Sequence, residues 1–289
     1  LFRSEIDALS SAEPRQVMEL PRAEPTPDGR ARVVTVMNQK GGVGKTTTVI
    51  NIATHLALHG VRVLVVDCDQ QGNCATGLGI DKSRVVHTTR TLFTEPENAP
   101  SCRHATAIPG LHLIVGERSL VGIEQELSTM LGRERCLIDG LESLLHHYDL
   151  VLLDTAPSLG LVTINALVAS DAVLVPVQTE FFALEGLSQL VKTIERIKAQ
   201  LNPELNIRGV LLTMFDKRNK LSAQVDMEAR KFFENKVYQT VIPRNVRLSE
   251  APSHGIPVLI YDKQCTGSKS YLSFADEFLK QENLMESVA

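Results

Sequence analysis

The chain has 289 residues, 43% hydrophobic and 22% charged, with a formal net charge of -4 at pH 7. That balance is ordinary for a soluble globular protein with a large core, and it excludes a molecule that is basic throughout, so any DNA site must be a local patch. No apolar run reaches the roughly 20 residues that cross a bilayer.

Residues Leu1 to Arg30 carry Pro14, Pro21, Pro25 and Pro27 among mixed charges, without the apolar stretch of a secretory signal. They are expected to form a flexible arm with a short helix near its start. The first residue is Leu, so the numbering is expected to begin inside a longer reading frame. From Arg32 onward, β-branched runs alternate with helical patterns. Strands are expected at Val33–Met37, Val61–Val66, Leu111–Val115, Leu150–Leu153, Ala172–Val177, Val210–Met214 and Val237–Ile242. Several are apolar at nearly every position, as strands buried on both faces of a parallel sheet are. Helices are expected at Thr46–His59, Ala183–Gln200 and Ser222–Glu234, and Asp81–Arg118 reads as an irregular surface excursion. Strand and helix in alternation predict an α/β fold, doubly wound and mostly parallel, with ligands at the carboxyl ends of the strands. Residues 1–30 are assigned to the arm and 31–289 to a single ATPase domain.

The first strand runs directly into Lys40-Gly41-Gly42-Val43-Gly44-Lys45-Thr46-Thr47, and a helix follows. Strand, glycine-rich loop and helix together make a phosphate loop. The glycines let backbone N–H groups point inward, and the helix N-terminus adds its positive end. Lys45 supplies charge to the β- and γ-phosphates, Thr46 a hydroxyl to Mg²⁺, and Thr47 a bond to the α-phosphate. The first glycine of the usual GxxxxGK[ST] pattern falls at Gln39, and a second lysine, Lys40, precedes the glycine pair. This loop resembles the deviant Walker A group. The resemblance implies a nucleotide-sandwich dimer in which Lys40 acts across the interface on the partner's phosphates, much as an arginine finger does.

Asp67-Cys68-Asp69 closes the second strand. Asp69 fits the group that orients the attacking water and contacts the metal, and Asp67 a support for the loop and for the metal's surroundings. Leu150–Asp154 is an apolar strand ending in a carboxylate, a Walker B pattern, so Asp154 is expected to hold Mg²⁺ through water. Thr155-Ala156-Pro157 resembles a segment that senses the γ-phosphate. Five cysteines (Cys68, Cys74, Cys102, Cys136, Cys265) with no CxxC pair suggest reduced, mostly buried thiols. A metal or cluster site shared between chains would fall to Cys102 and Cys136, which lie in no ligand motif.

Asn38–Gly79, Asp154–Ser158 (DTAPS), Pro176–Gly186 (PVQTEFFALEG), Leu212–Asp216 (LTMFD) and Val241–Gly255 (VIPRNVRLSEAPSHG) closely resemble the ParA/Soj partition ATPases. The match spans about Arg32 to Phe278. Gln70 departs from it, standing where the family has Pro in DxDPQ. The resemblance implies ATP and Mg²⁺ as cofactors, with adenine held by Met214–Asp216 and by Pro243-Arg244-Asn245. It implies a homodimer in the ATP state, nonspecific double-stranded DNA, and a ParB/Spo0J-type centromere-binding partner that stimulates hydrolysis. A cytoplasmic, nucleoid-associated location follows from the same resemblance. Lys217, Arg218, Lys220, Arg230, Lys231, Lys236, Arg244 and Arg247 gather in a basic stretch interleaved with Asp226, Glu228 and Glu234. Arg218 and Arg247 match family positions implicated in DNA binding, with Lys217 and Lys220 beside them. The arm is too small for the operator-reading domain of larger plasmid relatives.

Three other readings share the lysine-containing loop. A MinD-like positioning ATPase needs a basic amphipathic C-terminal helix. Here Tyr271–Ala289 carries Asp276, Glu277, Glu282 and Glu286, so no membrane partner is expected. A nitrogenase-type iron protein needs two cluster cysteines. A metabolic kinase would not need the DNA-linked C-terminal motif.

Overall fold

The computed structural model describes residues 29–282. The expected arm and Glu286 lie outside the described residues, apart from the arm's last two positions. The strands are β1 (Arg32–Val36), β2 (Val63–Cys68), β3 (His104–Ala105), β4 (Leu111–Ile114), β5 (Leu150–Thr155), β6 (Ala172–Gln178) and β7 (Asn206–Thr213). They form one sheet in the order β3-β4-β2-β5-β1-β6-β7. All pairs are parallel except β3 with β4.

The longer helices are α1 (Lys45–Leu58), α6 (Leu161–Val168), α7 (Ala183–Gln200), α8 (Lys220–Phe233) and α11 (Thr266–Gln281). Shorter ones are α2 (Asn73–Gly77), α3 (Thr89–Thr94), α4 (Ile123–Glu126), α5 (Cys136–Glu142), α9 (Val246–Glu250) and α10 (Val258–Tyr261). The period-2 geometry of a strand explains why continuous apolar runs were needed. Val34, Val36, Val63, Val65, Leu150 and Leu152 pack with α1 and α11 on one face. Val33, Leu64, Val66, Val151 and Leu153 pack with α3, α5 and α6 on the other. A third cluster joins Val173, Val175, Val210 and Leu212 to α7 and α8.

Six of the seven expected strands are present. Val237–Ile242 is not a strand; it runs beside β7 through the isolated bridge Val210–Val237 and the bonds from Tyr238 N to Val210 O and from Ile242 N to Leu212 O. The reason is a contact distant in sequence. Glu277 of α11 accepts the backbone N–H groups of Gln239 and Thr240, so these donors are not spent on a ladder beside β7. The two-residue β3 was not anticipated. Asp81–Arg118 is also no surface excursion, because Leu92, Phe93, Ala99 and Cys102 are buried in the second cluster. Its turns are short and 3-10 in character, with Pro96 and Pro100, so no helical period was visible.

Among the described residues, each acidic side chain of α11 and its end has a partner. Asp276 pairs with His55, Glu277 caps the 239–240 backbone, and Glu282 lies between Arg32 and Arg208 with its side chain 1% exposed. No helix among the described residues is long and apolar enough to cross a membrane.

Candidate nucleotide site

β1, β2 and β5 lie side by side, and their register brings Val36 opposite Asp154 and Asp67 opposite Asp154. The loop 37–44, the acidic turn after β2 and the segment after β5 therefore meet at one sheet edge, the place where such sheets bind ligands.

The loop is held from behind before any ligand is considered. Asn38 donates to Pro176 O and accepts from the Lys40 N–H, and Thr213 Oγ1 donates to Val43 O at 2.8 Å. Gly42 and Gly44 take φ of +74° and +92°, a region that side-chain-bearing residues rarely adopt. Gly44 leads straight into α1, whose first turn points free N–H groups at the loop. Lys45 is 7% exposed and its ammonium donates to Lys40 O at 3.2 Å. Burial lowers its pKa, and Asp154 and then Asp69 oppose that shift. Lys40 behaves differently: its side chain is about half exposed and forms an ion pair with Glu180, from the turn after β6. Thr47 is partly exposed at the loop end of α1.

Thr46 Oγ1 donates to Asp154 Oδ2 at 2.6 Å, so the hydroxyl and the Walker B carboxylate are already in contact. Asp154 is fully buried and its Oδ1 has no hydrogen-bond partner. Burial raises its pKa; the bonds from Thr46 and Cys74 and the charge of Lys45 work the other way. A buried carboxylate oxygen without a donor, beside a hydroxyl and an ammonium, fits a hard cation with phosphate oxygens. Asp67 is also fully buried. Its two oxygens accept from Asp69 N and Cys74 N, which shapes the turn, and burial followed by the Asp154 charge pushes its pKa far up. Asp69 sits at the rim, 9% exposed, with Oδ1 accepting from Gln71 N. Its charge reaches both Lys45 and Asp154.

The two segments assigned to adenine lie together: Phe215 N donates to Ile242 O and Arg244 N to Phe215 O. Met214 has φ of +51°, a costly conformation for a non-glycine residue, and it accepts from Thr179 Oγ1. Pro243 forms the bridge to Phe215. Asn245 caps α9 through Arg247 N and donates to Thr266 Oγ1. Among the basic residues, Arg218 is 90% exposed yet bonded through Nε and Nη2 to the two carboxylate oxygens of Asp216. Arg247 pairs with Glu250 and Asp262, and Arg230 is tied to Asp226 and Tyr238 O. Lys217 and Lys220 are exposed at the start of α8.

Several site residues were not picked out from sequence. Gly116 lies behind the acidic turn: a Cβ there would sit 2.6 Å from Asp67 O and 2.5 Å from Asp69 O. Cys74 donates its thiol to Asp154 Oδ2 at 3.3 Å. Glu180 was visible only inside a motif, without a partner. Cys102 and Cys136 are core residues, bonded to Asn98 O and to the Met130 sulfur.

Comparison with known proteins agrees with this geometry. The family described as "AAA domain" matches residues 31–207. The chromosome partitioning protein ParA of Caulobacter vibrioides is 51% identical over 253 residues, covering 87% of this chain and 95% of that protein. The chain belongs to the ParA/Soj family of partition ATPases. Soj of Bacillus subtilis, described as a sporulation initiation inhibitor protein, is 48% identical over 246 residues, covering 85% of this chain and 97% of its own. A solved cobyrinic acid a,c-diamide synthase of Mycobacterium smegmatis, with a bound ATP analogue and magnesium, is 33% identical. It has a TM-score of 0.77 and covers 88% of this chain and 96% of that one. As a ParA/Soj member the chain is a P-loop ATPase on a mostly parallel seven-stranded sheet.

Proposed function

We propose that this partition ATPase is an ATP-driven DNA-segregation switch, with residues 31–289 acting as one unit. Mg-ATP is its ligand. Gly41 to Thr47 hold the phosphates, Thr46 and Asp154 the Mg²⁺, and Met214, Pro243 and Asn245 the base. Bound Mg²⁺ supplies charge neutralisation on the β- and γ-phosphates. Asp69 orients the attacking water and contacts the metal, and its place at the rim, where its charge reaches Lys45, supports that role. Two copies close over the nucleotide, with Lys40 of each serving the other. The joined form grips DNA nonspecifically through Arg218, Arg247, Lys217 and Lys220, and a ParB-type partner stimulates hydrolysis to release it. The protein then cycles on and off the nucleoid in the cytoplasm.

One observation carries this reading: the two lysines of one loop face different ways. Lys45 is buried and bonded within the loop, while Lys40 reaches out to Glu180. A side chain directed away from its own phosphate loop suits work on a neighbour's. The test is a sedimentation series on wild type and Lys40→Ala, each with ADP or ATP, with and without random duplex DNA. Wild type is expected to dimerise and hold DNA only with ATP, and Lys40→Ala to do neither. A Lys40→Ala protein that dimerised and gripped DNA normally would sink the proposal.

A further inference from the structure

At the carboxyl ends of β2 and β5 a thiol joins two buried carboxylates, a donor that hydrolysis of Mg-ATP does not call for. Asp67, Cys74 and Asp154 are all buried and each offers a ligand atom, these atoms lying within 4.8 Å of one another. The Cys74 sulfur is 3.3 Å from Asp154 Oδ2, and the Cys74 N–H fixes the Asp67 carboxylate at 2.9 Å. The second oxygen of Asp154 has no partner although it is buried. We propose that Asp67, Cys74 and Asp154 form an inhibitory site for a soft divalent cation of the zinc or cadmium kind.

Donor chemistry separates this site from the magnesium position. Magnesium takes oxygen ligands and keeps its waters, whereas a thiolate adds affinity for zinc and cadmium. In a tetrahedral zinc site with one sulfur and two carboxylate oxygens, ligand atoms stand roughly 3.5 Å apart. The three atoms here, within 4.8 Å of one another, need to close by at most about 1.3 Å to reach that spacing. Binding releases the thiol proton together with the proton that the buried Asp67 keeps without the ion, both to solvent. A thiolate, two carboxylates and a divalent ion sum to one negative charge, and the ammonium of Lys45, which feels the charge of Asp154, balances it. The fourth position is left to water or to a phosphate oxygen.

The inhibition follows from a shared atom. Thr46 Oγ1 and Cys74 Sγ both donate to Asp154 Oδ2. A soft ion that draws this oxygen toward the sulfur takes it from Thr46, and with it half of the pair proposed for Mg²⁺. Soft ion and Mg-ATP therefore compete.

The test uses the full chain without nucleotide, titrated with Cd²⁺ alone, because a cadmium–thiolate bond gives an ultraviolet charge-transfer band. Wild type and Cys68→Ala are expected to show the band, and Cys74→Ala to lose it. Hydrolysis of Mg-ATP with added Zn²⁺ is then measured, each protein against its own zinc-free rate. The zinc level that halves turnover is expected to rise at least about tenfold in Cys74→Ala, the scale on which lost metal-site groups act. Cys74→Ser serves if Cys74→Ala does not fold, since the band requires sulfur. A band of unchanged size in the Cys74 variant overturns the site, and equal zinc sensitivity overturns its inhibitory role. The cadmium reading needs no nucleotide, so it stands or falls apart from the partition proposal.

Discussion

Lys40 of the phosphate loop is held by Glu180 of the turn after β6, in an ion pair with side chains 48% and 31% exposed. If Lys40 serves the partner's nucleotide, this contact must open when two copies close. Exposed pairs contribute at most about 1 kcal/mol. Glu180→Gln is therefore expected to lower the ATP concentration for half-maximal dimerisation by a few-fold, up to about fivefold. Light scattering or sedimentation against ATP concentration measures it. A weaker dimer would mean that Glu180 works in the joined form instead.

The backing of the acidic turn gives a second prediction. A methyl group at Gly116 would collide with the carbonyls of both Asp67 and Asp69, and backbone cannot swing aside as a long side chain can. Gly116→Ala is expected to shift that turn and to destabilise the fold by about 1–3 kcal/mol. ATP turnover should fall at least about tenfold, a barrier change near 1.4 kcal/mol, while ADP affinity changes little. Turnover equal to wild type in a folded variant would show that the Asp69 turn does not set the rate.

Much of this was legible because chemistry here sits at strand ends. Apolar runs marked six strands, and a strand that ends in a loop glycine or an aspartate announces its site. The rest depends on contacts distant in sequence. Val237–Ile242 has strand composition, but the donors of Gln239 and Thr240 go to Glu277, a residue of α11. Gly116 and Cys74 have no pattern of their own; only the folding of their segments against β2 and β5 places them at the carboxylates. Nothing in the sequence pairs Asp276 and Glu282 with His55, Arg32 and Arg208, partners that only the fold supplies.

Glu282 illustrates how tightly that last helix is anchored. Arg32 Nε donates to its Oε2 at 3.3 Å, and Arg208 Nε lies 2.7 Å from Oε1 with its N–H off the hydrogen-bonding direction. Glu282→Ala strands two arginines beside a buried space. A loss of about 3 kcal/mol is expected, the low end for breaking a buried pair because both arginines are a third exposed. Urea unfolding measures it, and a change under about 1 kcal/mol would show the network to be dispensable.

Buried carboxylates also give the nucleotide-free protein a pH signature. Burial, and then the charge of Asp154, hold the Asp67 carboxyl far above the ordinary carboxylate range. In the unfolded chain it titrates near pH 4. Above that value the folded state keeps a proton that the unfolded state has released, so this residue's contribution to stability falls as pH rises toward its folded value. Asp67→Asn cannot ionise and removes that slope. The thermal midpoint of Asp67→Asn relative to wild type, without nucleotide, is expected to rise steadily from acid through neutral pH. A difference that stays constant across that range would mean Asp67 is ionised in the fold.

The basic patch yields the last prediction, and its sign depends on three acidic residues. Arg218 is clamped by Asp216 and Arg247 by Glu250 and Asp262, so neither guanidinium is fully available in the single chain. If they reach phosphates, the pairs must be exchanged for DNA contacts. Each arginine lost from a phosphate contact should lower the log–log salt slope by about 1. Arg218→Glu with Arg247→Glu is expected to abolish binding to random duplex in ATP, whereas Asp216→Asn, which frees Arg218, should tighten it. Fluorescence anisotropy across a salt series reads both. Unchanged affinity and slope in the double charge reversal would remove these residues from the DNA surface and leave Lys217 and Lys220 to carry it.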